Sequence, residues 1–225
     1  RDFCLSRGLG DVYKRQVFTA DIEFAGQVVK LNVTDPVITA GVSIKKTGYA
    51  QTMNNNVMRW TVSGVRNDST TSLQSFYWRD TLPTDAVRLT RLVTGTYSTT
   101  QTYKVTFTTN LNSQWRTAYD NLSTAKNYTL DMSSAALGLA SNEYVTQFML
   151  SFGIVPAGFH QLTNATVDAQ TLYALTNGYK FTNKADVGGL LGGNWVQSIA
   201  RWTTSIYSHY VPVSYTHLRA HETGR

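Results

Sequence analysis

EYVTQFMLSFG (residues 143–153) nearly alternates apolar and polar side chains along its length. Successive side chains of a β-strand point to opposite faces, so this pattern predicts a strand with one buried face. VMRWTVSGVRN (57–67) and QTYKVTFTTN (101–110) repeat the pattern. Turn-rich pieces separate such runs: NDSTTS, NLNSQ, DNLSTAKN and VPAGFH. Short strands at this spacing predict an all-β fold, an antiparallel β-sandwich.

The two ends of the chain differ from everything between them. Residues 1–16 and 213–225 can be back-translated so that the DNA for the tail is the reverse complement of a stretch within the DNA for the head. That string resembles a sequencing-library adapter. We therefore interpret residues 1–16 and 212–225 as translated adapter, with Pro212 as the junction codon, and exclude them from reasoning about the fold. We expect the remaining sequence to be cut at both ends.

Excluding the ends changes the charge of the chain. They hold six of the 20 Lys and Arg residues and three of the 14 Asp and Glu residues, so the net charge falls from +6 to +3. A nucleic-acid interface needs concentrated positive charge. Lys45–Lys46 is the only adjacent basic pair that remains. We therefore expect no nucleic-acid partner.

Residue content also restricts the chemistry. The lone cysteine, Cys4, lies in the head, so the rest has no disulfide, thiolate metal site or cysteine nucleophile. His160 and His209 have no partner at metal-ligand spacing, and we predict no metal and no cofactor. No Ser/His/Asp or paired-carboxylate arrangement is readable, so we do not expect an enzyme. No apolar run is long enough to span a bilayer.

A weak internal repeat bears on domain organisation. FTADIEFAGQVVK near the start and FTNKADVGGLLGGNWVQ near the end share Phe-Thr, Ala-Asp and a glycine turn. Tandem arrays of domains give such patterns. We infer that residues 17–37 are the tail of a preceding β domain and that residues 38–208 form a complete β-sandwich repeat domain. GGLLGG (188–193) has no Gly-Lys-Ser/Thr after it, so it predicts a flexible hairpin connection rather than a phosphate loop.

An ordered set of motifs resembles a known family. IKKTGYA (44–50) is followed by MRWTVSGVRNDSTTSLQSFYWRDTLP (58–83) and later by NGYKFTNKADV (177–187). The set resembles the conserved-repeat domain of bacterial surface proteins, domain of unknown function eleven, over nearly all of residues 38–207. The resemblance implies an immunoglobulin-like sandwich on the extracellular surface of a Gram-positive cell wall. It implies neighbouring repeats of the same chain as partners, and an adhesin role with a host or glycan ligand.

Residues two apart in a β-strand lie on the same face of the sheet. This spacing places three polar residues on apolar strand faces: Lys46, Asp80 and Asn183. Each shares its face with apolar neighbours, namely Val42 and Ile44, then Phe76, Trp78 and Leu82, then Phe181, Ala185 and Val187. Burying a charge is costly unless it is paired or neutralised. A buried lysine tends to lose its proton and a buried carboxyl to gain one. These three residues are therefore the candidate site.

The three side chains suit one reaction. A neutral lysine amine attacks the asparagine carbonyl while the protonated acid polarises it, and ammonia leaves. The product is an intramolecular isopeptide bond between the first and last strands, a cross-link known from surface adhesins with related sandwiches. Glu143 is a second candidate acid. Two simpler interpretations stay open: the three residues only form hydrogen bonds and an ion pair, or Asp80 caps the DTLP turn and Lys46 reaches the rim.

A second function class also stays open. Trp115 and Tyr119 in NSQWRTAYDN are candidate exposed aromatics that stack on a sugar ring. The alternative to a structural and adhesive repeat is therefore a carbohydrate-binding module of a secreted glycan-degrading enzyme.

Overall fold

The computed structural model describes residues 17–24, 27–34, 38–50 and 57–206, so both segments interpreted as adapter lie outside the described residues. Within these ranges the chain forms fifteen strands. They are β1 (Val17–Phe24), β2 (Gln27–Thr34), β3 (Val42–Ala50), β4 (Val57–Asn67), β5 (Leu73–Thr81), β6 (Val87–Val93), β7 (Thr96–Tyr97), β8 (Thr102–Thr109), β9 (Arg116–Ser123), β10 (Thr129–Asp131), β11 (Val145–Val155), β12 (Gln161–Thr163), β13 (Ala165–Thr171), β14 (Lys180–Leu191) and β15 (Asn194–Ser205). No helix occurs in the described residues, and therefore none that could cross a membrane.

Two antiparallel sheets make up the body of the domain. The five-stranded sheet has the order β10-β6-β13-β4-β3, and the six-stranded sheet has the order β15-β14-β5-β11-β8-β9. The short strands β7 and β12 form a separate pair. This arrangement confirms the predicted all-β fold, an immunoglobulin-like antiparallel sandwich.

The core fills the space between the sheets. It follows in part from the alternation in the sequence, because about every second residue of β4 and β11 is buried. The largest fully buried side chains come from both sheets: Trp60, Val62, Leu89 and Leu92 from one, and Phe76, Trp78, Phe148 and Leu150 from the other.

The polar atoms of Trp78 and Tyr97 are paired within this core. The Trp78 indole Nε1 donates to the Tyr97 hydroxyl at 2.8 Å, and that hydroxyl donates to the Thr94 carbonyl at 3.0 Å. Tyr97 also stacks on Phe159, with ring centroids 5.7 Å apart and planes 3° from parallel. The aromatic residues of the core therefore have fixed positions rather than merely filling volume.

The edge strands of the two sheets differ: β3 is covered by neighbouring strands, and β9 is irregular. β3, at the edge of the five-stranded sheet, packs against β14 and β15 of the six-stranded sheet. At the far edge of the six-stranded sheet, β9 contains Asn121 with a left-handed φ of 54°. The register of β9 with β8 shifts twice. The contact between β3 and β14 brings the candidate site together.

The two segments of the internal repeat both contain antiparallel hairpins, β1–β2 and β14–β15. The assignment of residues 17–37 to a preceding domain stays a prediction. The prediction for GGLLGG was only partly right, because Gly188–Leu191 continue β14 and only Gly192 and Gly193 form the turn, with φ of 56° and 81°. Positive φ at both positions explains the glycine pair.

Candidate functional site

Lys46, Asp80 and Asn183 come together between the two sheets. Asp80 on β5 is paired with Ala185 on β14, and Asn183 lies two residues from Ala185 on the same face. Diagonal neighbours of this kind are within reach of each other's side chains. Lys46 comes from β3 in the opposite sheet, and its Nζ donates to Asp80 Oδ2. The site therefore joins β3, the first strand of the two large sheets, to β14. The predicted link to the last strand is wrong by one strand, because β15 follows β14 and pairs with it as a hairpin.

All three side chains are withdrawn from water. Lys46 is 6% exposed, and Asp80 and Asn183 are 0% exposed. The side-chain atoms of the Lys46–Asp80 ion pair have no exposed area. Isolated charges at this depth are strongly unfavourable, and a paired lysine and carboxylate reduce that cost by their mutual attraction.

Asn183 is the unusual member of the cluster. Its Nδ2 and Oδ1 have no hydrogen-bond partner among the described residues, and Asp80 Oδ1 has none either. A buried polar group without a partner costs about 1–3 kcal/mol. Nearly all such groups in folded proteins are paired, so an orphaned amide beside a lysine and a carboxyl requires an explanation.

The electrostatics of the site raise the proton affinity of Asp80. Burial raises the pKa of Asp80, and the nearby charge and hydrogen bond of Lys46 oppose the rise without cancelling it. The adjacent Asn183 amide also opposes the rise, although it is not in hydrogen-bond geometry. The resulting pKa lies above the ordinary value for an aspartate. Asp80 is therefore an acid that holds a proton more readily than an exposed carboxyl does.

Aromatic rings enclose the cluster. Lys46 Nζ lies 5.7 Å from the centroid of the Trp60 ring, and Phe181 meets Trp60 edge-on at 6.4 Å. Gly48 makes room for this ring, because a Cβ there would lie 2.3 Å from Trp60 Cδ1. Sequence reasoning missed Gly48 and Trp60 as parts of the site. The available signal was a glycine inside a strand, which often marks a close approach of neighbouring groups.

Glu143, the second candidate acid, has other partners. Its Oε1 accepts hydrogen bonds from Thr109 Oγ1 and Arg116 Nη2. These bonds, the one from Thr109 first, hold the pKa of Glu143 below its usual range. An ionised carboxylate committed to an arginine is a poor proton donor, so Asp80 is the better acid.

The two candidate sugar-stacking residues differ in setting. Trp115 precedes β9 and is 39% exposed. Tyr119 lies within β9, is partly buried against the core, and donates its hydroxyl to the Asp131 carbonyl at 2.8 Å. Their role in ligand binding stays a prediction. No group of three His, Cys, Asp or Glu side chains that could hold a metal ion occurs in the described part of the chain.

No protein-family profile and no curated protein matches the sequence. Several solved structures are similar to it at low identity. The collagen-binding domain from a Staphylococcus aureus adhesin is 12% identical, with a TM-score of 0.37, covering 72% of this chain and 97% of that one. The collagen-binding subdomain of the Enterococcus faecalis surface protein ACE is 10% identical, with a TM-score of 0.34, covering 73% and 96%. The C-terminal domain of the Streptococcus agalactiae polypeptide BspA is 10% identical, with a TM-score of 0.35, covering 78% and 54%. At this level the likeness does not extend to what this chain binds.

Proposed function

We propose that this chain is an extracellular structural and adhesive module of a bacterial cell-surface protein, and that an isopeptide bond between Lys46 and Asn183 ties β3 to β14. The observation that carries the proposal is the buried Asn183 amide, which has no hydrogen-bond partner and lies beside the Lys46–Asp80 pair. The ion pair alone would account for Lys46 and Asp80 but leaves the orphaned amide unexplained.

The proposed reaction needs no external reagent. Lys46 Nζ passes a proton to Asp80 Oδ2, which becomes a neutral acid. The free amine attacks Asn183 Cγ while the acid hydrogen-bonds to Oδ1 and stabilises the charge that develops there. A new Nζ–Cγ bond forms and the attacking nitrogen loses one proton, which Asp80 relays to Nδ2. The Cγ–Nδ2 bond then breaks, and Nδ2 leaves as ammonia. The chain itself supplies the nucleophile, the acid and the electrophile.

Burial supports each step. Water would hydrate the amine and the developing oxyanion, and its exclusion strengthens the interaction of Asp80 with the reacting atoms. The Trp60 ring and the surrounding core exclude water from this position. Folding holds the nucleophile next to the amide, which replaces a bimolecular encounter with a positioned one.

The bond would suit a surface module without disulfides. No cysteine occurs in residues 17–211, and small extracellular domains commonly gain stability from covalent links. A link between β3 and β14 closes most of the domain into one covalent loop. Such a module could serve as a stalk or an adhesive repeat between neighbouring repeats of the same chain.

Intact-mass spectrometry of the purified chain tests the cross-link. We expect a mass lower than that of the sequence by one molecule of ammonia, and a branched tryptic peptide joining Lys46 to Asn183. Lys46→Arg and Asp80→Asn should restore the full mass, since the first removes the nucleophile and the second the acid. A wild-type chain with the full mass would refute the bond.

The carbohydrate-binding alternative and the surface-protein proposal predict different neighbouring segments in the parent gene. A hydrolase domain encoded in the same parent gene would support a module of a glycan-degrading enzyme. A sorting motif downstream would support the surface protein.

A further inference from the structure

The outer face of the six-stranded sheet contains a groove that the cross-link does not use. It has a volume of about 660 Å³ and runs across the sheet from Trp195 on β15 to Lys104 on β8 and Asp120 on β9. Cavities of about 300–1,000 Å³ are typical of small-ligand sites. We call this depression the outer groove.

The wall of the outer groove beside β15 is held rigidly. Tyr77 lies against Gly188, where an added Cβ would come within 2.9 Å of the Tyr77 ring and hydroxyl. The Tyr77 hydroxyl donates to Asp186 at 3.0 Å and accepts from Gln197 Nε2 at 2.9 Å. Although it lies on the outward face of the strand, Tyr77 is only 7% exposed. The glycine in GGLLGG thus lets the ring lie close to the sheet.

Trp195 packs against Tyr77, and its ring is exposed to solvent. It meets Tyr77 edge-on, with ring centroids 5.9 Å apart and planes at 74°. It is nevertheless 53% exposed. A large aromatic ring that is fixed in position but half uncovered is typical of a binding surface, because ligand contact completes its burial.

The charges around the outer groove balance. Arg79 lines it and is held by two hydrogen bonds of 2.9 Å to Asp186. Lys104 and Asp120 lie at the other end, one cation and one carboxylate. The groove therefore offers donors and acceptors without a net field of either sign, which disfavours phosphate or a strongly charged polymer.

We propose that the outer groove binds a neutral oligosaccharide, with the C–H face of one sugar ring against the Trp195 indole and hydroxyls directed to Gln197, Lys104 and Asp120. The groove lies on the face of the sheet, where the strands' backbone groups are committed to their neighbours. An extended peptide gains affinity from such groups at an open edge instead. This inference rests on the adhesive part of the proposed function and names its ligand class.

The test is a binding screen of the full chain against neutral oligosaccharides of the N-acetyllactosamine, lactose, maltose and cellobiose series, followed by calorimetry. Trp195→Ala should weaken binding about ten-fold or more. Ser151→Phe should abolish binding by filling the groove, because Ser151 lines it. Tyr173→Ala is the matched control: Tyr173 is also 53% exposed, does not line the groove, and should leave affinity unchanged.

Three results would overturn the proposal. One is that no member of these series binds at millimolar concentration. Another is that binding survives Trp195→Ala and is lost on Trp115→Ala, which would put the site at the loop before β9. The third is that a triple-helical collagen-like peptide binds the groove while the oligosaccharides do not. Intact mass reports the cross-link independently of binding. A chain whose mass is lower by one ammonia but that binds no sugar would therefore support the structural role and contradict only the proposed ligand class.

Discussion

Replacing Asn183 by leucine separates a cross-linked domain from one that merely contains an ion pair. The substitution keeps the approximate volume, leaves Lys46 and Asp80 in place, and removes the only electrophile. The Asn183 amide makes no hydrogen bond to the described residues, so its loss breaks none. Without a cross-link, a buried, unpaired amide is exchanged for an apolar group of similar shape. This exchange should lower the free energy of unfolding by no more than about 1 kcal/mol, or should raise it.

A cross-link gives a very different expectation. The bond between positions 46 and 183 closes a loop of about 140 residues, and the chain-entropy relation for such a loop gives about 5 kcal/mol of stabilisation. For a domain of this size, each kcal/mol corresponds to a shift of about 2–4 °C in Tm. Asn183→Leu should therefore lower Tm by about 10–20 °C.

Thermal unfolding followed by circular dichroism, with the mass of each sample recorded, measures this difference. Thr171→Val is the matched control, because Thr171 Oγ1 is also buried and without a partner but no cross-link involves it. It should change Tm by no more than about 4 °C. If Asn183→Leu melts with the control and with the wild type, the reasoning from the orphaned amide to a covalent bond is wrong.

Two further predictions concern other parts of the domain. Gly48→Ala should destabilise the domain by about 1–3 kcal/mol, because the new Cβ collides with Trp60; urea denaturation measures this, and an unchanged midpoint would contradict the close approach. The Asp168 carboxylate accepts hydrogen bonds from Arg59 and Arg91. Burial raises the pKa of Asp168, but the hydrogen bonds from the two arginines outweigh that effect, so its pKa is lowered. Since a lowered carboxyl pKa stabilises the folded state above the unfolded value of about 4, the advantage of the wild type over Asp168→Asn should be complete at neutral pH and fall as pH drops below about 4. Acid titration of both proteins checks this, and a constant difference down to pH ~2 would contradict it.

The sequence predicted the inward direction of the site residues well. Period two was enough to put Lys46, Asp80 and Asn183 on apolar faces. β5 and β14 pair without a shift around Asp80 and Asn183, and β3 keeps its register from Lys45 onward, although it shifts between Ser43 and Lys45. Their mutual contact is a different matter. Residues 46 and 183 are far apart in the chain, and only the packing of β3 against β14 brings them together. Pattern reasoning supplied the faces, and the likeness to known adhesin cross-links supplied the pairing of Lys46 with Asn183.

The outer groove could not have been predicted in the same way. Its walls come from strands that are far apart in the chain; Lys104 and Trp195, for example, are 91 positions apart. Their adjacency depends on the order β15-β14-β5-β11-β8-β9, which is a non-local property. Irregularities also shape the groove: Ser75 has a φ of 49°, and the register of β11 shifts around Gly153. Alternation treats Tyr77 as an outward residue and does not reveal that its neighbours cover it.

The edge strands of the two large sheets determine how readily copies of the domain pair with one another. Open strand edges are templates for pairing with another molecule, and long flat ones promote aggregation. Here β3 and β15 cover each other, and β10 is only three residues long. The remaining long edge of the two large sheets, β9, contains Asn121 with a left-handed φ next to the charged Asp120. We expect a sandwich with its sheet edges protected in this way to resist edge-to-edge pairing of its two large sheets with those of its own copies.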